Sequence, residues 1–323
     1  MKRQVALLAL IGLIGLTACG YLIGPPEPAC ECFGGCPVGA VDLILDNVAY
    51  QVGYSDLRMN PLWVCYRVFA VPDPVSHDRP SRFKIDYRTG AQVSHDDYTN
   101  TGYDRGHMAP NAAIDYCYGR DAQLETFLMS NICPQTPALN RGVWATLEES
   151  VRDWADAFDE VWVLTGPIFD SEAQLLSAGV EVPDAFFKIV IDEVAGTLRA
   201  LAFLIPQDVS GGSVPADYLT SVDEIEALAG FDFLADLDDD VEAGLEAEMP
   251  SVVWDTTDTT SRLVVTQSVE STPCDCSGPD LDCSDFATHA DAQACFDYCR
   301  QRGYGDVYRL DGDSDGVACE ALP

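Results

Sequence analysis

Apolar residues recur along this chain with two different periods. Residues 62–69, Leu-Trp-Val-Cys-Tyr-Arg-Val-Phe, are rich in β-branched and aromatic side chains and predict a strand. Val143, Leu147, Val151, Trp154 and Phe158 return every three or four positions, which predicts a helix over residues 143–158. A shorter helix is expected over residues 123–129. The run Val161-Trp162-Val163-Leu164-Thr165-Gly166-Pro167 reads as a buried strand ended by a turn. Residues 185–191 and 198–205 predict a strand pair joined through Gly196. Strands and helices without regular βαβ alternation predict an α+β fold.

Residues 208–250 have a different character. They hold 13 acidic residues and no Lys or Arg. Ile225, Leu228 and Ala229 suggest one helix, and Leu234, Leu237, Val241 and Leu245 another. Both are expected as solvated helices on the far side of the domain. Residues 252–270 alternate and are rich in Thr, which suggests a returning strand. Pro273 and the cysteines after it mark a boundary.

The first residues change the picture of where the chain works. Met1-Lys2-Arg3 is a positive start, and residues 5–16 are apolar apart from glycines. A bilayer span takes ~20 apolar residues, so this run reads as an export signal. Leu16-Thr17-Ala18-Cys19 resembles a bacterial lipobox, which implies cleavage before Cys19 and lipid on its sulfur. The competing reading is an ordinary signal with a chance cysteine. Several acyl chains would anchor stably, since each buried methylene contributes ~0.8 kcal/mol. The expected location is therefore a membrane-anchored lipoprotein facing the periplasm or cell exterior. Setting Cys19 aside leaves 12 of the 13 cysteines, an even number that suggests disulfides in an oxidising compartment. Neither C-x-C-x3-C at Cys30, Cys32 and Cys36 nor C-x-C at Cys274 and Cys276 has the paired spacing of a good zinc site.

The net charge of −35 argues against binding nucleic acid, which rests largely on Lys and Arg contacts to phosphate. Its distribution weakens that objection. Residues 57–150 carry 9 Lys and Arg against 11 Asp and Glu, whereas residues 151–323 carry 7 against 37. The nearly neutral segment is the one that holds the chemistry.

That chemistry begins at Asp104-Arg105-Gly106-His107, followed by Pro110 and Asn111. Phosphodiester hydrolysis needs an activated water and neutralisation of charge on the phosphate. His supplies a base near neutral pH. Arg offers a fork of donors to phosphate, and a hard cation takes oxygen ligands. Further along stand Ser130-Asn131-Ile132-Cys133-Pro134-Gln135, then Ala138-Leu139-Asn140-Arg141-Gly142-Val143-Trp144 and Leu147-Glu148. Three more strings accompany them: Trp63-Val64 with Tyr66; Leu164-Thr165-Gly166-Pro167; and Pro183 with Phe186-Phe187-Lys188.

Together these resemble the non-specific DNA/RNA endonucleases, the ββα-metal nucleases with a D-R-G-H signature, over roughly residues 61–206. The resemblance implies a mixed or antiparallel central sheet. It implies His107 as general base, Asn140 as the side-chain ligand of a single Mg²⁺ (or Mn²⁺), and Glu148 as the carboxylate orienting water. It also implies Arg105 on the phosphate side and a second, upstream Arg. Arg79, Arg82 and Arg88 compete for that last role, and Arg82 is the choice. Arg141 is either a phosphate contact or an exposed loop residue, and Asp104 is expected to brace the motif. Cys117 and Cys133 are expected in disulfides joining or flanking these loops. His77 and His95 receive no role.

Asp311-Gly312-Asp313-Ser314-Asp315-Gly316-Val317-Ala318-Cys319-Glu320 places carboxylates at alternate positions before a glycine turn. It resembles the excalibur module, a small extracellular calcium-binding domain. The resemblance implies Asp311, Asp313, Asp315 and Glu320 as Ca²⁺ ligands and a Cys283–Cys319 staple. Cys295 and Cys299, four apart on a predicted helix, suit each other poorly as a pair.

The organisation expected is a signal peptide at 1–18, a Cys/Pro/Gly-rich tether at 19–40, a nuclease domain at 41–272 and a disulfide-stapled calcium module at 273–323. The function expected is sugar-nonspecific endonuclease cleavage, with DNA and RNA as substrates and the membrane as partner through Cys19. The competing function is a decayed nuclease scaffold acting as a calcium-binding cell-surface binding protein. The presence of His107, Asn140 and Glu148 speaks against decay. No G-x-S-x-G, H-E-x-x-H or Walker string points to another hydrolase.

Overall fold

The computed structural model describes residues 32–170, 172–194, 196–256, 281–283, 286, 288–301, 310 and 317–319. In chain order the elements are β1 (Leu43–Asp46), β2 (Tyr50–Ser55), β3 (Asn60–Phe69), β4 (Asp104–His107), α1 (Asn111–Tyr118), α2 (Arg120–Glu125), β5 (Ile132–Gln135), α3 (Pro137–Asn140), α4 (Val143–Phe158), β6 (Glu160–Ile168), β7 (Gln174–Leu175), β8 (Glu181–Val182), β9 (Ala185–Val194), β10 (Thr197–Pro206), β11 (Leu219–Thr220), α5 (Val222–Ala229), α6 (Asp239–Glu246) and α7 (His289–Gln301). Cys19, Cys30, residues 257–280 and the carboxylates Asp311, Asp313, Asp315 and Glu320 lie outside the described residues. So do the lipobox, the calcium loop and most of the strand expected over 252–270. No helix among the described residues is long and apolar enough to cross a membrane.

The centre is a seven-stranded antiparallel sheet in the order β1-β2-β3-β6-β9-β10-β11. Its central strands read as nearly unbroken apolar runs because both faces are covered. Side chains alternate between the faces. Val64, Tyr66 and Val68 of β3 join Phe186, Val190 and Phe203 on one face, under the buried stripe of α4 made by Trp144, Leu147, Val151, Trp154 and Phe158. Trp63 and Cys65 join Leu164, Phe187, Ile189 and Ile191 on the other.

That second face corrects the expectation for residues 208–250. α5 and α6 are acidic outside, but Val222, Ile225, Phe231, Phe233, Leu234 and Leu245 are buried and close the sheet. The helices are therefore half of the sheet's cover. The tether also ends earlier than expected. Cys32 forms a disulfide with Cys65 in β3, Phe33 packs 4.7 Å from the Trp162 ring, and Val38 pairs with Asp232. Residues 32–39 thus belong to the folded body, and the tether can extend only upstream of them.

The helix expected over 123–129 stops at Glu125. Thr126 turns its hydroxyl to the Gln123 carbonyl, and the backbone at Phe127 and Met129 pairs with Lys84 instead of continuing the helix. At the C-terminal end, Cys283 and Cys319 form a disulfide, and Cys295 and Cys299 are each disulfide-bonded. With Phe296 and Ala318 they make a small core of their own.

Candidate active site

Strands β4 and β5 form a two-stranded ribbon that pairs Asp104 with Gln135, Arg105 with Pro134, Gly106 with Cys133 and His107 with Ile132. At Gly106 the Gln135 side chain fills the space a Cβ would take, so a larger residue there would displace it. The chain leaves β5 through Thr136, whose hydroxyl accepts from the Leu139 amide and caps α3. Gly142 then allows the turn into α4, because a Cβ there would meet the Ala138 carbonyl at 2.3 Å. A ribbon and two helices are thereby held with His107 at the end of β4, Asn140 at the end of α3 and Glu148 in α4.

Asp104 performs the bracing expected of it. Its carboxylate accepts from Arg141 Nε and Nη2 at 2.7 and 2.6 Å, and from Asn140 Nδ2 at 3.0 Å. Burial works against the ionised form, but these donors outweigh it and hold Asp104 below the usual carboxylate range. Two consequences follow from the same contacts. Arg141 is an exposed residue spent on Asp104. The Asn140 amide is fixed by its nitrogen, which leaves Oδ1 as the atom able to take a cation.

His107 is buried among Phe83 and Phe127, with both ring centroids 5.1 Å away. Its Nε2 has no hydrogen-bond partner among the described residues. Burial, with the Arg79 cation in support, pushes the imidazole down to about 3. Asn131 secures the segment just after it, accepting from the Ala109 amide at 2.8 Å and donating to the Ala109 and Thr126 carbonyls.

The three candidate upstream arginines have different surroundings. Arg82 pairs with exposed Asp96 at 2.6 Å. Arg88 forks onto buried Asp86 and reaches the Asp46 carbonyl. Arg79 instead lies 5.5 Å over the Phe127 ring, the ring that packs on His107, and its charge is felt by both His107 and Glu148. Arg105 gives Nε and Nη2 to the His95 carbonyl and Nη2 to Thr99 Oγ1. It stiffens the approach to the ribbon.

Sequence reasoning missed what lies beneath Glu148. Lys188 is fully buried, donates to Tyr66 Oη at 3.2 Å, and sits 4.4 Å over the Trp144 ring. Burial raises the Glu148 carboxyl above its ordinary range, opposed by Lys188, Arg152 and Arg79. Burial likewise lowers the Lys188 ammonium, opposed by Glu148. The only trace in the sequence was Lys188 closing an apolar strand string.

The expected disulfides of Cys117 and Cys133 are absent. Both are free thiols. Cys117 lies against the Phe69 backbone at 3.3 Å, whereas Cys133 faces the core. Burial pushes Cys117 up to about 11 and raises Cys133 well above the usual thiol range, so both are poor nucleophiles.

Comparison with known proteins agrees with this geometry. Residues 34–240 match the family model described as DNA/RNA non-specific endonuclease. A nuclease of Nostoc sp. is 30% identical over 212 residues, covering 62% of this chain and 76% of that protein. A nuclease of Syncephalastrum racemosum is 38% identical over 162 residues, covering 44% of this chain and 50% of that protein. A solved crystal structure of the EndoG/EndoGI complex aligns with a TM-score of 0.59 and 25% identity, over 67% of this chain and 94% of the other. The ribbon β4–β5 followed by α3 and α4 is the ββα unit of that fold. The chain belongs to the DNA/RNA non-specific endonuclease family and is a hydrolase acting on nucleic acid.

Proposed function

We propose that this protein cleaves both DNA and RNA internally, with little regard for sequence or sugar, using water activated by His107 beside a single Mg²⁺ held by Asn140. The observation that carries the reading is the Asn140 amide. Its nitrogen is committed to Asp104, so its neutral oxygen is the atom left for a hard cation. Bound Mg²⁺ (or Mn²⁺) would neutralise charge at the phosphate and the leaving oxygen. His107 Nε2 takes the proton from the attacking water. Its imidazole stays neutral at working pH, and an approaching phosphate anion raises its proton affinity. Arg79, beside the Phe127 ring, meets that phosphate in preference to Arg82, which is paired with Asp96, and Glu148 orients water by accepting its hydrogens. Plasmid and RNA digestion by protein lacking residues 1–19 tests the scheme. Cleavage of both substrates with Mg²⁺ and none with EDTA is expected. A protein that binds nucleic acid but cuts neither would be the decayed scaffold.

Lys188 sets the pH at which Glu148 works. Its cation favours the carboxylate, so Lys188→Met raises the proton affinity of Glu148. The acid limb of the pH–rate profile should move to higher pH, with the deepest loss below about pH 7 and recovery on the alkaline side. An unmoved limb would assign Lys188 to packing alone.

The compartment belongs to the same proposal. Cys19 carries lipid, and the enzyme faces the periplasm or cell exterior, where disulfides form. Asp311, Asp313, Asp315 and Glu320 hold Ca²⁺ in the C-terminal module, apart from the catalytic metal. Cys19→Ser should release the protein from the membrane fraction. Retention there by the same route would refute the anchor.

A further inference from the structure

On the face of the sheet opposite α4, five carboxylates converge between α5, the turn after it, and α6. Oxygens of Asp223, Glu226 and Glu246 lie within 4.8 Å of one another, and so do those of Asp232, Glu242 and Glu246. Glu246 is common to both groups. It is 7% exposed, and its Oε1 has no hydrogen-bond partner. Glu226 differs, because its Oε1 accepts from the Phe233 amide at 2.6 Å. Residues 208–250 contain no Lys or Arg to balance the charge. A buried carboxylate oxygen left without a donor is costly.

We propose that Glu246, Glu226, Asp223, Asp232 and Glu242 form a Ca²⁺ site, separate from the catalytic centre and from the C-terminal loop. All five donors are carboxylate oxygens, on two helices and a turn, which suits a cation that accepts six to eight oxygens in irregular geometry better than octahedral Mg²⁺. The spacing agrees as well. Oxygens on opposite sides of one Ca²⁺ stand roughly 4.6–5.2 Å apart. Exposed Asp223 and Asp232 stand at the mouth, and Glu246 closes the floor. Burial, and then the Glu226 and Glu242 carboxylates, raise the Glu246 carboxyl far above its ordinary range.

The site has a structural reach. Asp232 exchanges backbone hydrogen bonds with Val38 at 2.8 and 3.0 Å, and the Asp236 amide donates to the Gly34 carbonyl at 2.9 Å. The segment that would wrap the cation is the one that holds residues 34–38 on the body.

Calorimetric titration with CaCl₂ near pH 7.5, with melting curves in parallel, tests this on the full chain. Wild type, Glu246→Gln, Asp313→Ala and the double variant are compared. Asp313→Ala should keep one site and a Ca²⁺-dependent rise in melting temperature of several degrees. Glu246→Gln should lose that site and that rise, and the double variant should bind no Ca²⁺. Gln keeps the size of Glu and can bond Glu226, and Glu242→Gln at the mouth gives a second variant with the same expectation. MgCl₂ should bind this cluster at least about tenfold more weakly. The proposal falls if Asp313→Ala binds no Ca²⁺ at about 1 mM, if Glu246→Gln matches wild type in stoichiometry, or if Mg²⁺ binds equally well. Mg²⁺-dependent cleavage should be the same in Glu246→Gln and wild type.

Discussion

Replacing His107 by alanine is expected to lower cleavage of plasmid DNA and of RNA by roughly 10²–10⁴-fold, the ordinary contribution of a positioned acid or base. The melting temperature should change far less than the rate. The imidazole makes ring contacts with Phe83 and Phe127, but its Nε2 has no partner whose loss would unravel the ribbon. Initial rates and circular dichroism melts on one preparation separate the two effects. His107→Gln keeps polar bulk in the same pocket and should be about as inactive. A variant that cuts at near the wild-type rate would remove His107 from the chemistry.

Asn140 carries the second large effect, and the structure changes what its acidic variant should do. Considered as a ligand alone, Asn140→Asp keeps an oxygen and adds charge, so it should tighten metal binding while slowing turnover. The amide nitrogen, however, donates to Asp104 at 3.0 Å. Aspartate at 140 would set two carboxylates against each other there, and one must take a proton or turn away. Asn140→Asp should therefore lose at least about 10²-fold in rate, approaching Asn140→Ala, in the range seen when a single group stabilising transition-state charge is removed. Adding Asp104→Asn restores a donor opposite the new carboxylate and should recover part of the loss. Steady-state rates across a Mg²⁺ titration measure all of this. An Asn140→Ala enzyme with unchanged rate and unchanged Mg²⁺ dependence would place the metal elsewhere.

What was legible in the sequence follows from the range of the interactions involved. α4 runs over the residues its apolar spacing predicted, and β9 and β10 pair around Gly196, because each pattern is local and repeats. The motif strings marked the residues of the site, but not the ribbon that β4 and β5 form around them. The choice among Arg79, Arg82 and Arg88 could not be read that way. They differ only in what meets them in space: the Phe127 ring for Arg79, Asp96 for Arg82 and Asp86 for Arg88. The link between Glu148 and Lys188 crosses from helix to sheet and leaves no periodic trace. The positions of Cys117 and Cys133 beside the site loops suggested disulfides, but nearness in sequence carries no geometry, and both are free thiols. The acidic segment misled because its charges outnumber its core residues, although a few well-spaced apolar side chains suffice to close a sheet face.

The Cys32–Cys65 link also determines how the body bears tension. Cys65 lies in β3, paired with Gln51 of β2 on one side and Leu164 of β6 on the other. A pull applied upstream of Cys32 therefore enters the sheet near its middle, and the edge strand β1 with its partner β2 sits slack inside the closed loop. Peeling strands one at a time from an edge needs little force; shearing a central strand against two neighbours breaks many hydrogen bonds together. With the link oxidised, the hairpin beside the cysteine is shielded from load. With it reduced, the same pull must first part residues 34–38 from Asp232 and Asp236; it then reaches β1, and the sheet can be opened like a zip.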